Sequence, residues 1–132
     1  MVHAYSMEGF EIRIDGDILE MRTEGVRTAP MGRDPGRAFE SFLAAAPARA
    51  VLFDLRGAHY QFGPAEWEER ARTIARLCRR HAVAAIGRED QDAQIARVLE
   101  LHAGMGGEGR AFRSRQRARD WLRASIDAAT LS

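Results

Sequence analysis

Apolar and polar positions follow two periods along the chain, and the changeovers between them mark out the elements. Phe10-Glu-Ile-Arg-Ile14 alternates apolar with polar residues, Asp15-Gly-Asp17 interrupts, and Ile18-Leu-Glu-Met21 resumes, which predicts two strands around a tight turn. Thr23 to Gly36 carries three glycines and two prolines without clear periodicity and reads as a loop holding at most a short irregular strand. From Arg37 the period becomes helical: Ala38, Phe39, Phe42, Leu43 and Ala46 share a face, and Pro47 ends the run. Ala50 to Asp54 is continuously apolar up to its closing carboxylate, the pattern of a central strand covered on both faces.

A second helix is predicted from Gly63-Pro64. Proline at the first turn gives up an N–H that would be unpaired anyway, and Glu66, Glu68 and Glu69 lie near the positive end of the helix dipole. Trp67, Ala71, Ile74, Ala75 and Cys78 define its buried face, with Arg72, Arg76, Arg79 and Arg80 as a solvated flank. Ala82 to Ile86 is another apolar strand. A third helix buries Ile95, Val98, Leu99 and His102, Arg110 to Arg113 forms a last short strand, and a final helix from Ser114 buries Ala118, Trp121, Leu122 and Ile126. Strands alternating with helices predict an α/β fold: a mixed sheet, built from an N-terminal hairpin plus parallel strands, with about four helices. Residues 1–132 read as one domain with a core of about 8–126. Ligands of such sheets sit beyond the carboxyl ends of the strands, which here means Asp54 to Pro64 and Gly87 to Asp90.

Composition narrows the chemistry. All 20 basic residues are arginine, with no lysine and no asparagine, so a phosphate-binding P-loop and Schiff-base or pyridoxal-phosphate chemistry are excluded. A net charge of +1 offers little for phosphate neutralisation, so no nucleic-acid partner is expected. No apolar run approaches the roughly 20 residues that span a bilayer, the N-terminus has no export signal, and the single Cys78 fits a reducing compartment; a cytoplasmic protein without a transmembrane segment is expected. Cys78 shares the face of Trp67 and reads as an inert buried thiol. His3, His59, His81 and His102 show no metal-ligand spacing, so neither a metal nor a cofactor is expected. Gly104 to Gly109 follows a helix and precedes a strand, the reverse of a dinucleotide-binding loop, and reads as a helix cap and connector.

The element order, the strand Val51-Leu-Phe-Asp-Leu55 running through a loop to the helix from Pro64, and the ending Gly109-Arg-Ala-Phe-Arg113 with Ala118-Arg-Asp-Trp-Leu122 together resemble the STAS superfamily. The resemblance is to the SpoIIAA-like branch of small bacterial proteins in particular, and it covers residues 8 to 126. It implies the STAS fold, and for that fold lipid or other apolar-ligand binding. In signalling members the second helix begins at an Asp-Ser-Ser-Gly-like motif whose serine a partner kinase phosphorylates. Here that place reads Gln61-Phe62-Gly63-Pro64-Ala65, with no hydroxyl, so the phospho-switch is not expected to carry over.

Candidate binding residues cluster on the strand-to-helix edge. Asp54 with Arg56 suits a polar ligand or a structural ion pair; His59 and Tyr60 offer acid–base and stacking groups; Phe62, Gly63, Pro64 and Trp67 complete the edge. No nucleophile accompanies them, so no catalytic residue is assigned. The leading expectation is a small non-enzymatic binding or signalling module with a protein partner. The alternative is a carrier of a lipid or other apolar ligand, with Tyr60, Phe62, Trp67 and Met31 lining its pocket. A small hydrolase or isomerase using His59 with Asp54 is a third reading, and a homodimer is compatible with all three.

Overall fold

The computed structural model describes the backbone of residues 2–131 and the side chains of residues 5–30 and 35–130. Six strands form a sheet in sequential order, β1 (Val2–Met7), β2 (Phe10–Asp15), β3 (Ile18–Arg27), β4 (Ala50–Tyr60), β5 (Ala82–Ile86) and β6 (Gly109–Phe112). The first three pair antiparallel and the last four parallel. Four helices accompany them: α1 (Arg33–Ala45), α2 (Pro64–Leu77), α3 (Asp92–Gly104) and α4 (Arg115–Leu131). The mixed α/β architecture is the one the periodicities predict. The hairpin of β2 and β3 turns at Gly16, whose φ of 60° suits a two-residue loop between Asp15 and Ile18.

Because β3 to β6 are laid down in one direction, right-handed crossovers place α1, α2 and α3 on the same face of the sheet. α4 returns on the other face. The core divides accordingly. Phe10, Ile12 and Ile14 of β2, Leu19 of β3 and Val51, Phe53 and Leu55 of β4 pack with Phe39, Leu43, Cys78 and Ile95. On the opposite face Ile18, Ala50, Leu52, Ala84 and Ile86 pack with Ala118, Leu122 and Ile126. β4 contributes to both clusters, and every residue from Ala50 to Leu55 is buried, which is why its sequence is apolar without alternation.

Three elements depart from the sequence pattern. Val2–Met7 is a strand at the sheet edge that the alternation does not predict. β3 continues to Arg27 through residues expected to be loop, and β4 continues to Tyr60, six residues beyond Asp54. The two extensions pair with each other, Glu24 to Gly57 and Arg27 to Tyr60, past the point where β5 stops at Ile86 opposite Asp54.

A β-bulge lies inside that extension. Arg22 pairs with Asp54 and Glu24 with Gly57, so Thr23 of β3 stands opposite both Leu55 and Arg56 of β4. The extra residue reverses the alternation. Before the bulge the odd-numbered Phe53 and Leu55 face the α1–α3 layer; after it the even-numbered Tyr60 does. The carbonyls exposed where β5 has ended are taken up by side chains from the β5–α3 connection. Gln91 Nε2 donates to Leu55 O at 2.8 Å and Ala58 O at 3.1 Å, and the Arg88 guanidinium donates to Arg56 O and to Ala58 O. Gln91 is itself fixed, accepting from the Arg88 backbone N–H at 2.9 Å, so the buried amide is satisfied at both ends.

Candidate ligand-binding site

A cavity of about 90 Å³ lies between the sheet and the α1–α3 layer, towards the carboxyl ends of β3 and β4. Its floor is Phe10, Met21, Phe53, Leu55 and Val83 from the strands, and its roof is Phe39, Ile74, Ile95 and Leu99 from the helices. α2 and α3 pack closely on each other, whereas α1 stands away from α2 and leaves a groove of about 400 Å³ between them. Phe39, Phe62, Arg70 and Ile74 line both spaces, so the groove adjoins the cavity.

One end of the cavity is closed by three aromatic rings. Tyr60, carried in by the bulge, lies 5.3 Å from Phe62 and 5.4 Å from Trp67 between ring centroids, and Phe62 lies 5.9 Å from Trp67. Trp67 is anchored by its indole N–H, which donates to Gln94 O of α3 at 3.3 Å. Gly63 caps α2, donating its N–H to Glu66 Oε1 at 2.8 Å, and Pro64 occupies the first helical position. These two residues set the angle at which Trp67 enters. Met31, also expected at this pocket, lies outside the residues whose side chains are described.

Besides Tyr60, the polar residues Thr23, Arg27, Thr28 and Arg70 line the apolar space, and the sequence pattern singles out none of them as a site residue. Thr23, opposite the bulge, is 4% exposed. Arg27 is 7% exposed, and its Nη1 donates to Glu8 O at 3.1 Å. Gly9 makes room for that guanidinium, since a Cβ there would stand 2.6 Å from Nη1. Arg70 of α2 lies over the Phe62 ring, 5.7 Å from its centroid. Burial pushes the Tyr60 phenol above its ordinary range, partly offset by the Thr23 hydroxyl and the nearby charges of Arg70 and Arg27. The sequence signal for Arg27 was hidden because Gly25, with φ of 79°, interrupts the strand pattern just before it.

The remaining predicted edge residues lie elsewhere. Asp54 projects from β4 towards the α4 face, where Arg56 grips it with Nε at 3.0 Å from Oδ1 and Nη2 at 2.9 Å from Oδ2. Burial tends to raise the Asp54 carboxyl, but the Arg56 side chain and backbone N–H, with the charges of Arg56 and Arg22, hold it below the usual carboxylate range. The same face continues into a charged belt in which Arg115 pairs with Glu20 at 2.6 Å and Arg119 with Asp15 at 3.1 Å, fastening the start of α4 to β2 and β3. His59 is exposed beyond the bulge and no hydrogen bond joins it to Asp54. The structure therefore gathers Tyr60, Phe62 and Trp67 around the cavity, leaves Gly63 and Pro64 at the start of α2 outside its lining, and sets Asp54, Arg56 and His59 apart from it.

Cys78 is fully buried and its thiol is pushed up to about 12 by burial alone, which leaves it without nucleophilic character at neutral pH. His102 is buried too, with Nε2 positioned to donate to Cys78 O at 2.9 Å and His81 O at 3.0 Å at the carboxyl end of α2. No group of three or more potential metal ligands occurs among the described residues. No helix among the described residues is long and apolar enough to cross a membrane.

The sheet order, its mixed pairing and the three-plus-one division of the helices define a SpoIIAA-like fold, as the resemblance in the sequence implied. A solved structure carries the same fold: an uncharacterized protein of the DUF3478 family from Shewanella loihica, described as SpoIIAA-like, aligns over 92% of this chain and 95% of its own with a TM-score of 0.60 at 20% identity. No family model and no curated protein matches the sequence.

Proposed function

We propose that this protein is a small non-enzymatic binding module that receives an apolar ligand in the cavity between its sheet and the α1–α3 layer. The observation that carries this reading is the cavity itself, walled by core side chains and adjoining the α1–α2 groove. Close-packed interiors leave few voids larger than a water molecule, and a void lined by apolar side chains stays dry and takes up apolar guests. The aromatic cluster of Tyr60, Phe62 and Trp67 supplies flat surface for such a guest. Protein-partner signalling, the leading expectation from the sequence, has no comparable feature in its favour.

At about 90 Å³ the cavity is smaller than the roughly 150 Å³ apolar cavity known to hold benzene. It therefore takes one end of a ligand, with the remainder in the groove. The test is thermal unfolding with a series of straight-chain alcohols. A ligand that binds only the folded state raises the melting midpoint, by about 3 °C or more at roughly tenfold excess over its Kd for a chain of this size. Stabilisation that grows from butanol to octanol supports the proposal, and no stabilisation by any member of the series defeats it.

A further inference from the structure

Arg27 is a buried cation without a charged partner among the described residues. Its side chain is nine-tenths buried, guanidinium remains charged at any accessible pH, and a buried charge is tolerated only when paired. Among the described residues its guanidinium donates only to the Glu8 carbonyl, a neutral acceptor, and no carboxylate stands within ion-pair distance of it. Arg70, the second cation lining the cavity, likewise has no carboxylate partner among the described residues and rests on the Phe62 ring. Every other arginine with a described side chain either pairs with Asp or Glu or is exposed to solvent. Arg56, Arg88, Arg97, Arg113, Arg115 and Arg119 all reach Asp or Glu at 3.1 Å or less.

We infer that the ligand supplies the missing counter-ion: an apolar chain ending in a carboxylate, its chain against Phe53, Leu55 and Ile74 and its carboxylate between Arg27 and Arg70. This rests on the reading of the cavity as an apolar-ligand site and adds the polar end of that ligand. The Tyr60 and Thr23 hydroxyls beside the guanidiniums are donors that a carboxylate can use as well. A single negative charge is favoured over a doubly charged head. Glu40, Glu66 and Glu69 line the adjoining groove and would repel additional charge, while a planar carboxylate matches the arginine fork.

Calorimetric titration of the full chain with octanoate, octanol, octylamine and octyl phosphate separates the possibilities. Octanoate is expected to bind at least about tenfold more tightly than octanol, since hydrogen bonds between ions exceed neutral ones by such a margin, and octylamine more weakly than either. Arg27→Met should bring octanoate to the level of octanol, abolishing the difference between the two ligands within that variant. Arg70→Gln, on a half-buried helix position, should weaken octanoate in the same direction and serves if Arg27→Met does not fold. Equal binding of octanoate and octanol overturns the carboxylate assignment and leaves the apolar site standing. Tighter binding of octyl phosphate than octanoate overturns it in favour of a phosphate head. Failure of all four to bind overturns both the assignment and the site.

Discussion

Arg27 and Tyr60 stand opposite each other in the β3–β4 ladder, and both side chains line the same cavity. The pairing exists only because both strands run on past the end of β5, and Tyr60 faces the cavity only because a bulge has reversed the alternation of β4. Two irregularities of the sheet thus create the polar end of an otherwise apolar space.

The bulge should depend on Gln91. Replacing it with leucine keeps the volume but leaves the Leu55 and Ala58 carbonyls without the amide that now holds them. Loss of a buried hydrogen-bond partner costs about 1–3 kcal/mol, so Gln91→Leu should lower the free energy of unfolding in urea by that amount. Because Tyr60 follows the bulge, the variant should also bind octanol more weakly. Unaltered stability and binding would show that the bulge is held by something else.

Asp54 should matter to stability and not to the ligand. The Arg56 side chain is 44% exposed, so much of the strength of this pair is screened by water, and Asp54→Ala should cost only about 1 kcal/mol. Octanol and octanoate should bind the variant as they bind the parent, because Asp54 lies on the far face of the sheet from the cavity. A loss of binding without unfolding would return the site to the edge that the sequence pointed to.

His81 makes the stability sensitive to mild acid. Burial, assisted by the neighbouring His102, outweighs a favourable contact with the Ala48 backbone and sets its folded-state pKa below the ordinary value near 6.5. The unfolded chain then binds the proton first as pH falls. The contribution of neutral His81 is therefore complete above about pH 6.5 and is lost progressively below it, down through the folded-state value. Urea unfolding at pH 7.5 and 5.5 should show the parent losing stability and His81→Gln losing less. Equal losses would assign the effect to other groups.

What the sequence disclosed and what it concealed follow from the range of the forces involved. The unbroken apolar run Ala50 to Leu55, the helical face of Trp67, Ala71, Ile74 and Cys78, and the final helix face of Ala118, Leu122 and Ile126 are local patterns imposed by burial, and each is visible in the chain. The Asp15-Gly16-Asp17 turn is likewise written in its residues. The strand extensions Thr23 to Arg27 and Leu55 to Tyr60 are not. Each is polar or interrupted by glycine, and each is held by the other at a distance of some thirty residues. The bulge is a property of their register, so no reading of either strand alone could assign Tyr60 to a face. That is why Asp54 and Tyr60, close neighbours in sequence, were grouped together and are found on opposite sides of the sheet, and why Arg27 was passed over as part of a loop.

The occupancy of the cavity is the point on which the account turns. Isotope-filtered NOE spectroscopy on labelled protein saturated with octanol reads it directly, through contacts between the terminal methyl of the alcohol and protein side chains. The account predicts contacts to Leu55, Ile74 and Ile95, which line the cavity. Contacts confined to Leu52, Leu122 and Ile126 on the opposite face, or saturation with no contact to the cavity residues, would contradict it.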